Sequence, residues 1–491
     1  MLTISSDEII GRFEFDNPWW AQGVGIEERF AKLPRRFYFN HLISLIQDVS
    51  VNRAIVVMGP RRVGKTVMVF HAIQELLDSG VSGKSIFYIS LETPLYSGIA
   101  LEKMLGMFQK RFEHKKEDRL YIFFDEVQYL RDWEIHLKSL VDSYPSYRFA
   151  VTGSAAAALK LKSQESGAGR FTDFILPPLT FSEYIYFINR KDELIETSVF
   201  EAENGTINKY KTNNIQELNK EFCNYLNFGG YPEAVMSKVI QQDPGRYIKS
   251  DIIDKVLLRD LPSLYGISDI QELNRLFTTL AYNTGNEITL EGLSKSAGVA
   301  KNTIKRYLEY LEAAFLIRRV NRVDNNARHF KRATSFKVYL TNPSMRSALF
   351  GHIAEDDVAI GHLVETAIYS QWLHSPSIDK LYYARWATGE VDIVCIDNET
   401  QKPNWIVEVK WSDRAASNNG ELDNCVEFSM NNLFANSRVL VTTKTISDNI
   451  IYKGTNFEFV PSSVYAYMLG ANILQYVWRN HSPLSVESHA L

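Results

Sequence analysis

The N-terminal part of the chain contains the sequence Gly59-Pro60-Arg61-Arg62-Val63-Gly64-Lys65-Thr66 (GPRRVGKT), which indicates a phosphate-binding loop. A β-branched run, AIVVM at 54–58, precedes it, and a helix-like run, VMVFHAIQELLDSG, follows it. In the spacing GxxxxGKT, two glycines permit a turn whose backbone N–H groups wrap phosphate oxygens. Lys65 then reaches the terminal phosphates and Thr66 ligands Mg²⁺. The flanking strand and helix favour this phosphate site over an accidental glycine turn before a core helix.

A second buried run, LYIFF at 120–124, ends in Asp125 and Glu126. A parallel strand would place these carboxylates beside the phosphate loop. We expect Asp125 to hold the magnesium through water and Glu126 to orient the attacking water, the two tasks of carboxylates in phosphoryl transfer. The alternative is a solvated strand end.

A third strand-like run, 148–152, leads into Gly153 and Ser154. Ser154 is predicted to sense the γ-phosphate, or else to cap the helix of an alanine run that follows it. Arg170 lies in the glycine-containing segment SGAGRF. It is predicted either to reach a neighbouring subunit's phosphate and stabilise transition-state charge, or to be a plain surface arginine.

Seven strings along the chain together resemble the prokaryotic AAA+-type ATPases with a C-terminal DUF4143 domain. They are NPWW at 17–20, GPRRVGKT at 59–66, FFDEVQ at 123–128, TGS at 152–154, AGRF at 168–171, LPPLTFSEY at 176–184 and GGYPEAV at 229–235. The resemblance implies an ATP-binding core with Walker A and Walker B motifs, followed by a helical lid. It also suggests, by analogy, a homo-oligomer. Trp19 and Trp20 either cover the nucleotide base or make ordinary aromatic core contacts.

The segment 287–316 has helix-turn-helix spacing, with two helical periods separated by Ala297-Gly298-Val299. The second helix is expected to bury Ile304, Leu308 and Leu311. The segment 301–337 contains ten Lys or Arg residues but only three Asp or Glu residues. This excess of positive charge predicts a local basic patch that binds DNA phosphates. The predicted contacts are Lys301, Lys305, Arg306, Arg328, Lys331 and Arg332. A winged helix used only to pack domains is the alternative.

Four charged positions in the C-terminal part resemble the PD-(D/E)XK nuclease core: Glu365, Asp392, Glu408 and Lys410. A helix at 358–374 carries Glu365, and strands beginning at 390 and 405 carry the other three. Asp392 and Glu408 are expected to ligate magnesium while Lys410 positions the water that attacks a phosphodiester. Val391 replaces the proline of the motif's name. A nuclease-like fold with inactive chemistry is the alternative.

Length and composition bound these readings. The 491 residues predict several domains, and 45% apolar residues exclude a mostly disordered chain. A net charge of −4 excludes a chain-wide basic field, and three scattered cysteines suit a reducing compartment. With no signal peptide or spanning segment in the sequence, we expect a cytoplasmic protein that does not enter a membrane.

The sequence therefore predicts an α/β multidomain chain. The expected segments are a lead at 1–40, a parallel-sheet ATPase core at 41–175, a helical lid at 176–285, a winged helix at 286–345, a nuclease-like α/β domain at 346–470 and a frayed tail at 471–491. The predicted function is ATP hydrolysis with Mg²⁺ that gates DNA binding and a metal-dependent nuclease. The alternative is a nucleotide-dependent DNA- or protein-binding switch whose C-terminal domain does not cut.

Overall fold

The computed structural model describes residues 5–153, 169–202, 205–329, 335–432 and 438–480. Their backbone forms two compact units, with the boundary between Leu176 and Pro177. No helix in the described part of the chain is both long and apolar enough to cross a bilayer.

The first unit is built on a five-stranded sheet in which all paired strands are parallel. Its strands are β1 Ala54–Met58, β2 Ile86–Ser90, β3 Tyr121–Asp125, β4 Arg148–Gly153 and β5 Phe171–Ile175. The order β2-β3-β4-β1-β5 places β1 between β4 and β5. Strands β1, β3 and β4 are buried along their whole length, as expected for parallel strands covered on both faces. The sheet confirms the α/β core and the three strands predicted around the phosphate loop.

Helices flank this sheet. They are Ser6–Asp16, Glu28–Ala31, Phe39–Gln47, Lys65–Asp78, Leu101–Phe112 and Trp133–Ser143. The first begins with a reciprocal cap, because the Ser5 hydroxyl accepts from the Glu8 N–H while the Glu8 carboxylate accepts from the Ser5 N–H. Arg148 closes the end of Phe39–Gln47, since its buried guanidinium donates to the carbonyls of Leu45 and Ile46.

Trp19 and Trp20 belong to the aromatic core of the first unit. Both indole N–H groups donate to the Ile86 carbonyl, at 3.3 Å and 2.8 Å. The Trp20 ring stacks on Phe87 and Phe108. Of the two interpretations of this pair, the geometry supports the core contact.

The second unit is richer in helices and carries a nine-stranded sheet. Its α-helices are Phe181–Phe187, Lys191–Leu194, Ile215–Phe228, Pro232–Met236, Lys238–Gln242, Pro244–Ile248, Leu261–Tyr265, Ile270–Tyr282, Leu290–Ala297, Lys301–Ala313, Ser344–Phe350, Ile360–Gln371, Arg414–Ser417, Asp423–Asn432 and Ser462–Asn480. Two π-helical turns, Lys249–Asp254 and Val256–Asp260, lie among them. The segment predicted as a helical lid also contains an antiparallel hairpin, β6 Glu196–Ala202 with β7 Gly205–Lys211. The helix Ser462–Asn480 extends into the segment expected to be a frayed tail.

The large sheet joins the helix-turn-helix region to the C-terminal region. Its strands are β8 Glu287–Thr289, β9 Ile317–Val323, β10 Ser335–Leu340, β11 Leu381–Arg385, β12 Glu390–Ile396, β13 Pro403–Glu408, β14 Arg438–Thr443, β15 Asp448–Tyr452 and β16 Thr455–Pro461. Their order is β15-β16-β14-β13-β12-β11-β9-β10-β8. The join is a parallel pairing of β9 with β11. Strands on both sides of the predicted boundary at 345 thus share one sheet.

The two helices predicted between 287 and 316 are present as Leu290–Ala297 and Lys301–Ala313. Gly298 connects them with φ +68°, a left-handed conformation that suits glycine at the end of a helix. Ile304, Leu308 and Leu311 are buried as expected.

Candidate functional site

The phosphate loop joins β1 to the helix Lys65–Asp78. Gly64 has φ +97° and lies at the N-terminus of the helix. Gly59 packs against the backbone of Leu176, so that an added Cβ would lie 2.2 Å from the Leu176 carbonyl oxygen. Arg62 also has a positive φ, +65°. Both glycines of the motif are therefore required by backbone geometry.

Lys65 points back over its own loop. Its side chain is only 5% exposed, and Nζ donates to the Gly59 carbonyl at 3.0 Å and the Pro60 carbonyl at 2.7 Å. Arg36 braces the same loop from the N-terminal side, because Nη1 donates to the Val63 carbonyl at 2.7 Å. The loop thus holds a buried ammonium next to the helix N-terminus, a combination suited to phosphate.

Asp125 lies at the end of β3, and its carboxylate accepts hydrogen bonds from three hydroxyl groups. Thr66 Oγ1 donates at 2.9 Å, Tyr88 OH donates at 3.1 Å, and Thr152 Oγ1 donates to the other carboxylate oxygen. Burial and the neighbouring Glu126 carboxylate raise the pKa of Asp125 to about 6. The hard oxygens of Thr66 and Asp125 have the donor chemistry that Mg²⁺ prefers.

Glu126 is held in an unusual backbone conformation, with φ +56°. Its N–H donates to Thr152 Oγ1 at 3.1 Å, and the Gln128 amide donates to its carboxylate. Few non-glycine residues adopt a left-handed conformation, and those that do are concentrated at functional sites. The structure thus orients the Glu126 side chain from both its backbone and its carboxylate end.

The remaining residues predicted near the nucleotide are less informative. Ser154 lies outside the described residues. Arg170 is 45% exposed in its side chain, and its Nε is 2.9 Å from an Asp142 carboxylate oxygen. Its carbonyl accepts the Ala54 N–H at 2.9 Å, so it lies at the start of the pairing between β1 and β5. This position matches an ordinary surface arginine, and the finger role stays a prediction.

The basic patch predicted at 301–337 is partly neutralised. Arg318 pairs with Asp379, Arg319 with Glu312, and Arg322 with Glu287, while Lys337 is buried. Lys301, Lys305, Arg306 and Arg328 are exposed, and Lys301 lies 3.7 Å from Glu291. Lys331 and Arg332 fall outside the described residues. The surface charge is thus smaller than the sequence count indicates.

The four nuclease-like positions are brought together in the second unit. Asp392 and Glu408 lie on the adjacent antiparallel strands β12 and β13, and Glu365 lies on the helix Ile360–Gln371. Lys410 Nζ is 2.8 Å from Glu408 Oε1, and the Val409 N–H donates to Asp392 Oδ2 at 2.9 Å. The Glu408 and Lys410 side chains are thus in direct contact.

Lys337 on β10 is a fifth member of this cluster and was not among the four positions predicted from the sequence. Its Nζ lies 2.9 Å from Glu365 Oε1, 2.7 Å from Glu390 Oε1 and 3.3 Å from Asp392 Oδ1. Lys337 is one of the ten basic residues of the patch predicted at 301–337. Its position among the apolar residues of the strand SFKVYL was the sequence signal that it is buried and paired.

Burial and charge shift the pKa values of this cluster in opposite directions. Burial raises the pKa of Glu365 to about 7, and burial together with Asp392 raises that of Glu408 to about 7. Burial also disfavours the charge of Asp392, but the ammonium groups of Lys337 and Lys410 outweigh it and lower the pKa of that carboxyl. The cluster thus favours one permanent carboxylate and two that take up protons near neutral pH.

Two stretches of the chain match known families. Residues 51–185 match the family described as AAA domain (AAA_14), and residues 219–356 match a domain of unknown function, DUF8612. The family found in the second unit is thus DUF8612, whereas the sequence resemblance named DUF4143. An uncharacterized protein of Haemophilus influenzae is 23% identical over 414 residues, 82% of this chain and 92% of that protein.

Further similarities extend to a second uncharacterized protein and to a solved structure. An uncharacterized protein of Methanocaldococcus jannaschii is 23% identical over 354 residues, 70% of this chain and 73% of that protein. Among solved structures, AMPPCP-bound DnaA from Aquifex aeolicus shares 14% identity with a TM-score of 0.28. That match covers 58% of this chain and 89% of DnaA. The phosphate loop, the Asp125 network and the parallel sheet all lie within the stretch 51–185 that is similar to the AAA domain family, and together they support a P-loop ATPase fold for the first unit.

Proposed function

We propose that this chain is an ATP-driven switch whose second unit has a nuclease-like fold that does not cut nucleic acid. The observation that carries the ATPase half is the network of Thr66, Asp125 and Thr152 beside Lys65 and Glu126. These groups supply a cation, two hard oxygen ligands and a base at one end of a parallel sheet.

In this proposal, Lys65 Nζ leaves the Gly59 and Pro60 carbonyls and contacts the terminal phosphate oxygens. Thr66 and Asp125 would hold Mg²⁺, which when bound neutralises charge on the phosphates. Glu126 accepts a hydrogen bond from the attacking water, and Gln128 fixes the direction of that carboxylate. Ser154 as the γ-phosphate sensor and Arg170 as a finger toward a neighbouring subunit complete the proposed site.

The ATPase proposal is tested by steady-state phosphate release from the full chain. Lys65→Ala and Glu126→Gln are each expected to lower turnover by about 10² or more, because each removes a group that acts on the transition state. Glu126→Gln should still bind ATP, whereas Lys65→Ala should bind it weakly. Lys103→Ala, at an exposed lysine of the same unit, is the matched control and should keep wild-type turnover. Equal, slow turnover in all four proteins would refute the ATPase assignment.

For the second unit we propose a winged helix over 286–345 and a PD-(D/E)XK-like domain over 346–470. The convergence of Glu365, Asp392, Glu408 and Lys410 supports a nuclease-like core. The contacts of Lys337 favour the version that does not cut, because its ammonium already pairs with Glu365 and with Asp392, a residue that would help to hold a catalytic metal. Gated magnesium-dependent cleavage of DNA is therefore the second candidate function.

Cleavage assays separate these two candidates. Plasmid and single-stranded DNA are incubated with Mg²⁺ or Mn²⁺, with and without ATP, using wild type, Asp392→Ala, Lys410→Ala and Lys65→Ala. We expect no cleavage above the level of Asp392→Ala, together with nucleotide-dependent binding to DNA or protein. Cleavage by wild type that disappears in Asp392→Ala and Lys410→Ala would establish the nuclease instead. If Lys65→Ala also changed that cleavage, ATP would be shown to gate it.

The exposed residues Lys301, Lys305, Arg306 and Arg328, with Lys331 and Arg332, are the proposed DNA contacts. Their exposure in the first four cases supports a role in binding phosphates rather than in packing. We also propose a homo-oligomer, since Arg170 acts on ATP in this scheme only from a neighbouring copy.

A further inference from the structure

Lys337 is the most completely buried charged residue of the carboxylate cluster. Its side chain is 3% exposed, and its ammonium lies within hydrogen-bonding or ion-pair distance of Glu365, Glu390 and Asp392. Burying an unpaired ammonium is costly, so a lysine at this depth requires carboxylate partners. The three carboxylates meet that requirement, which means that the cluster and the lysine depend on each other.

Other side chains fix the lysine and its partners in place. Tyr339 OH donates to Glu365 Oε1 at 2.5 Å, the same oxygen that faces Lys337. The Lys337 ammonium also lies 5.4 Å from the centroid of the Tyr383 ring, and Tyr383 OH donates to Glu287 at 2.7 Å. The ammonium is therefore held by packing as well as by charge.

The carboxylate oxygens that would ligate a metal already face donors of this chain. Asp392 Oδ1 faces Lys337 and Oδ2 accepts the Val409 N–H. Glu408 Oε1 accepts Lys410 Nζ, and Cys425 Sγ lies 3.8 Å from Oε2. In the wild-type arrangement, with the Lys337 ammonium in place, no three Asp, Glu, His or Cys side chains of the described residues gather so that they could hold a metal ion. The magnesium expected at Asp392 and Glu408 thus does not fit these contacts.

We propose that the Lys337 ammonium is the resident cation of this cluster and neutralises Glu365 and Asp392 in place of the divalent metal that Asp392 would help to hold. A magnesium ion needs oxygen ligands at about 2.0 to 2.1 Å in octahedral geometry, and it cannot share that space with an ammonium of the same charge sign. The inference rests on the proposed nuclease-like fold of the second unit. It explains why that fold would keep its four signature residues without cutting.

A prediction about this chain follows directly. Removing the ammonium while keeping a polar side chain, in Lys337→Gln, leaves the buried carboxyl groups of Glu365 and Asp392 without the cation that they share, whereas the partly exposed Glu390 keeps Arg385 as a partner. Such a site attracts a divalent cation. The variant is therefore expected to gain metal binding that the wild type lacks at this position.

The test counts bound Mn²⁺ by electron paramagnetic resonance of the free ion, using the full chain without nucleotide. Wild type, Asp392→Asn, Lys337→Gln and the double variant Lys337→Gln/Asp392→Asn are compared, and Lys103→Gln at an exposed lysine of the first unit is the control. We expect wild type, Asp392→Asn and Lys103→Gln to bind equally. Lys337→Gln should bind about one further ion per chain, and the double variant should lose it.

Two outcomes would overturn the inference. One is Mn²⁺ binding in wild type that is lost in Asp392→Asn, because the metal and the ammonium would then coexist. The other is a Lys337→Gln protein that is folded by circular dichroism yet gains no ion. If Lys337→Gln does not fold, the comparison of wild type with Asp392→Asn still decides. The readout is independent of ATP turnover and of DNA cleavage, so failure of the proposed function would be seen separately in those assays.

Discussion

Arg36 illustrates how a single residue outside the phosphate motif shapes it. Its side chain is 4% exposed, and it donates to the Val63 carbonyl within GPRRVGKT at 2.7 Å. A hydrogen bond from a charged donor contributes about 1.5 to 3 kcal/mol. The neighbouring Arg35 is half exposed and pairs with Glu75, an arrangement that contributes little at a surface.

We therefore expect Arg36→Ala to weaken nucleotide binding by about tenfold, because the loop loses a brace that fixes its backbone N–H groups. Equilibrium titration with a fluorescent ATP analogue measures this. Arg35→Ala is the matched control and should bind as wild type does. Equal affinities for wild type and Arg36→Ala would show that the loop holds its shape without the brace.

At the residue scale, the motif positions were predictable and their supporting residues were not. Lys65, Thr66, Asp125 and Glu126 carry their roles in local spacing, which the chain itself displays. Arg36 and Lys337 act across long sequence separations. Only the fold brings them to their partners, so the local sequence does not identify those partners.

At the scale of elements, the helix Ile360–Gln371 and strand β13 carry buried carboxyl groups, Glu365 and Glu408, whose protonation is linked to folding. The pKa values of Glu365 and Glu408 are about 7 in the folded chain, above their usual value. The folded state thus binds protons that the unfolded state has released at intermediate pH. Their contribution to stability is complete below about pH 4.5 and is lost as pH rises through about 7. Asp392, with its lowered pKa, acts in the opposite sense: its contribution is present at neutral pH and is lost as pH falls below its usual value toward its folded-state pKa.

We predict that the free energy of opening of β12 and β13 falls by on the order of 2 kcal/mol between pH 5 and about pH 8. Hydrogen exchange of peptides from these strands measures it, after correction for the intrinsic pH dependence of exchange. Glu408→Gln should flatten the dependence because its amide cannot release a proton. Glu399→Gln, at an exposed turn position between the strands, should leave it unchanged. A flat profile in wild type would contradict the prediction.

Elements with strong local signals were predicted well. The run AIVVM coincides with β1, and the two helices around Gly298 lie where their spacing indicated. The helix Ser462–Asn480 was missed in its second half, where the expected tail begins at 471. Ile473 and Leu474 of this helix are buried in the second unit, and this packing stabilises the helix. Tertiary packing of this kind could not be read from the local sequence.

At the scale of the whole molecule, charge limits what the chain can bind. The net charge is −4, and several of the basic residues between 301 and 337 are paired or buried. Each phosphate contact steepens the salt dependence of DNA binding by about 0.9 in log–log slope. The six proposed contacts, Lys301, Lys305, Arg306, Arg328, Lys331 and Arg332, thus predict a slope of about 5.

Fluorescence anisotropy with duplex DNA at a series of salt concentrations tests this prediction. Lys305→Ala and Arg306→Ala should each reduce the slope by about 1, whereas Lys103→Ala in the first unit should not. Slopes that stay at the wild-type value in both variants would remove these residues from the DNA contacts. The packing role of the helix-turn-helix region would then be favoured.

The architecture of the second unit was the least predictable from the sequence. Parallel pairing of β9 with β11 joins Arg322 and Val323 to Tyr383 and Ala384, residues far apart along the chain. Such pairing is decided by the packing of whole strands, since short apolar runs do not specify their partners. The sequence therefore indicated the helices and strands of both regions but not the sheet that connects them.

Lys337 also has an evolutionary consequence. Lysine codons differ by a single base from those of glutamine, methionine and threonine, none of which carries a positive charge. If the ammonium on β10 stands where a metal would bind, the metal-free and metal-binding forms of this cluster are one substitution apart. Descendants of one ancestral chain would then pass between them without rebuilding the sheet, and the residue facing Glu365 from β10 would distinguish the two lineages.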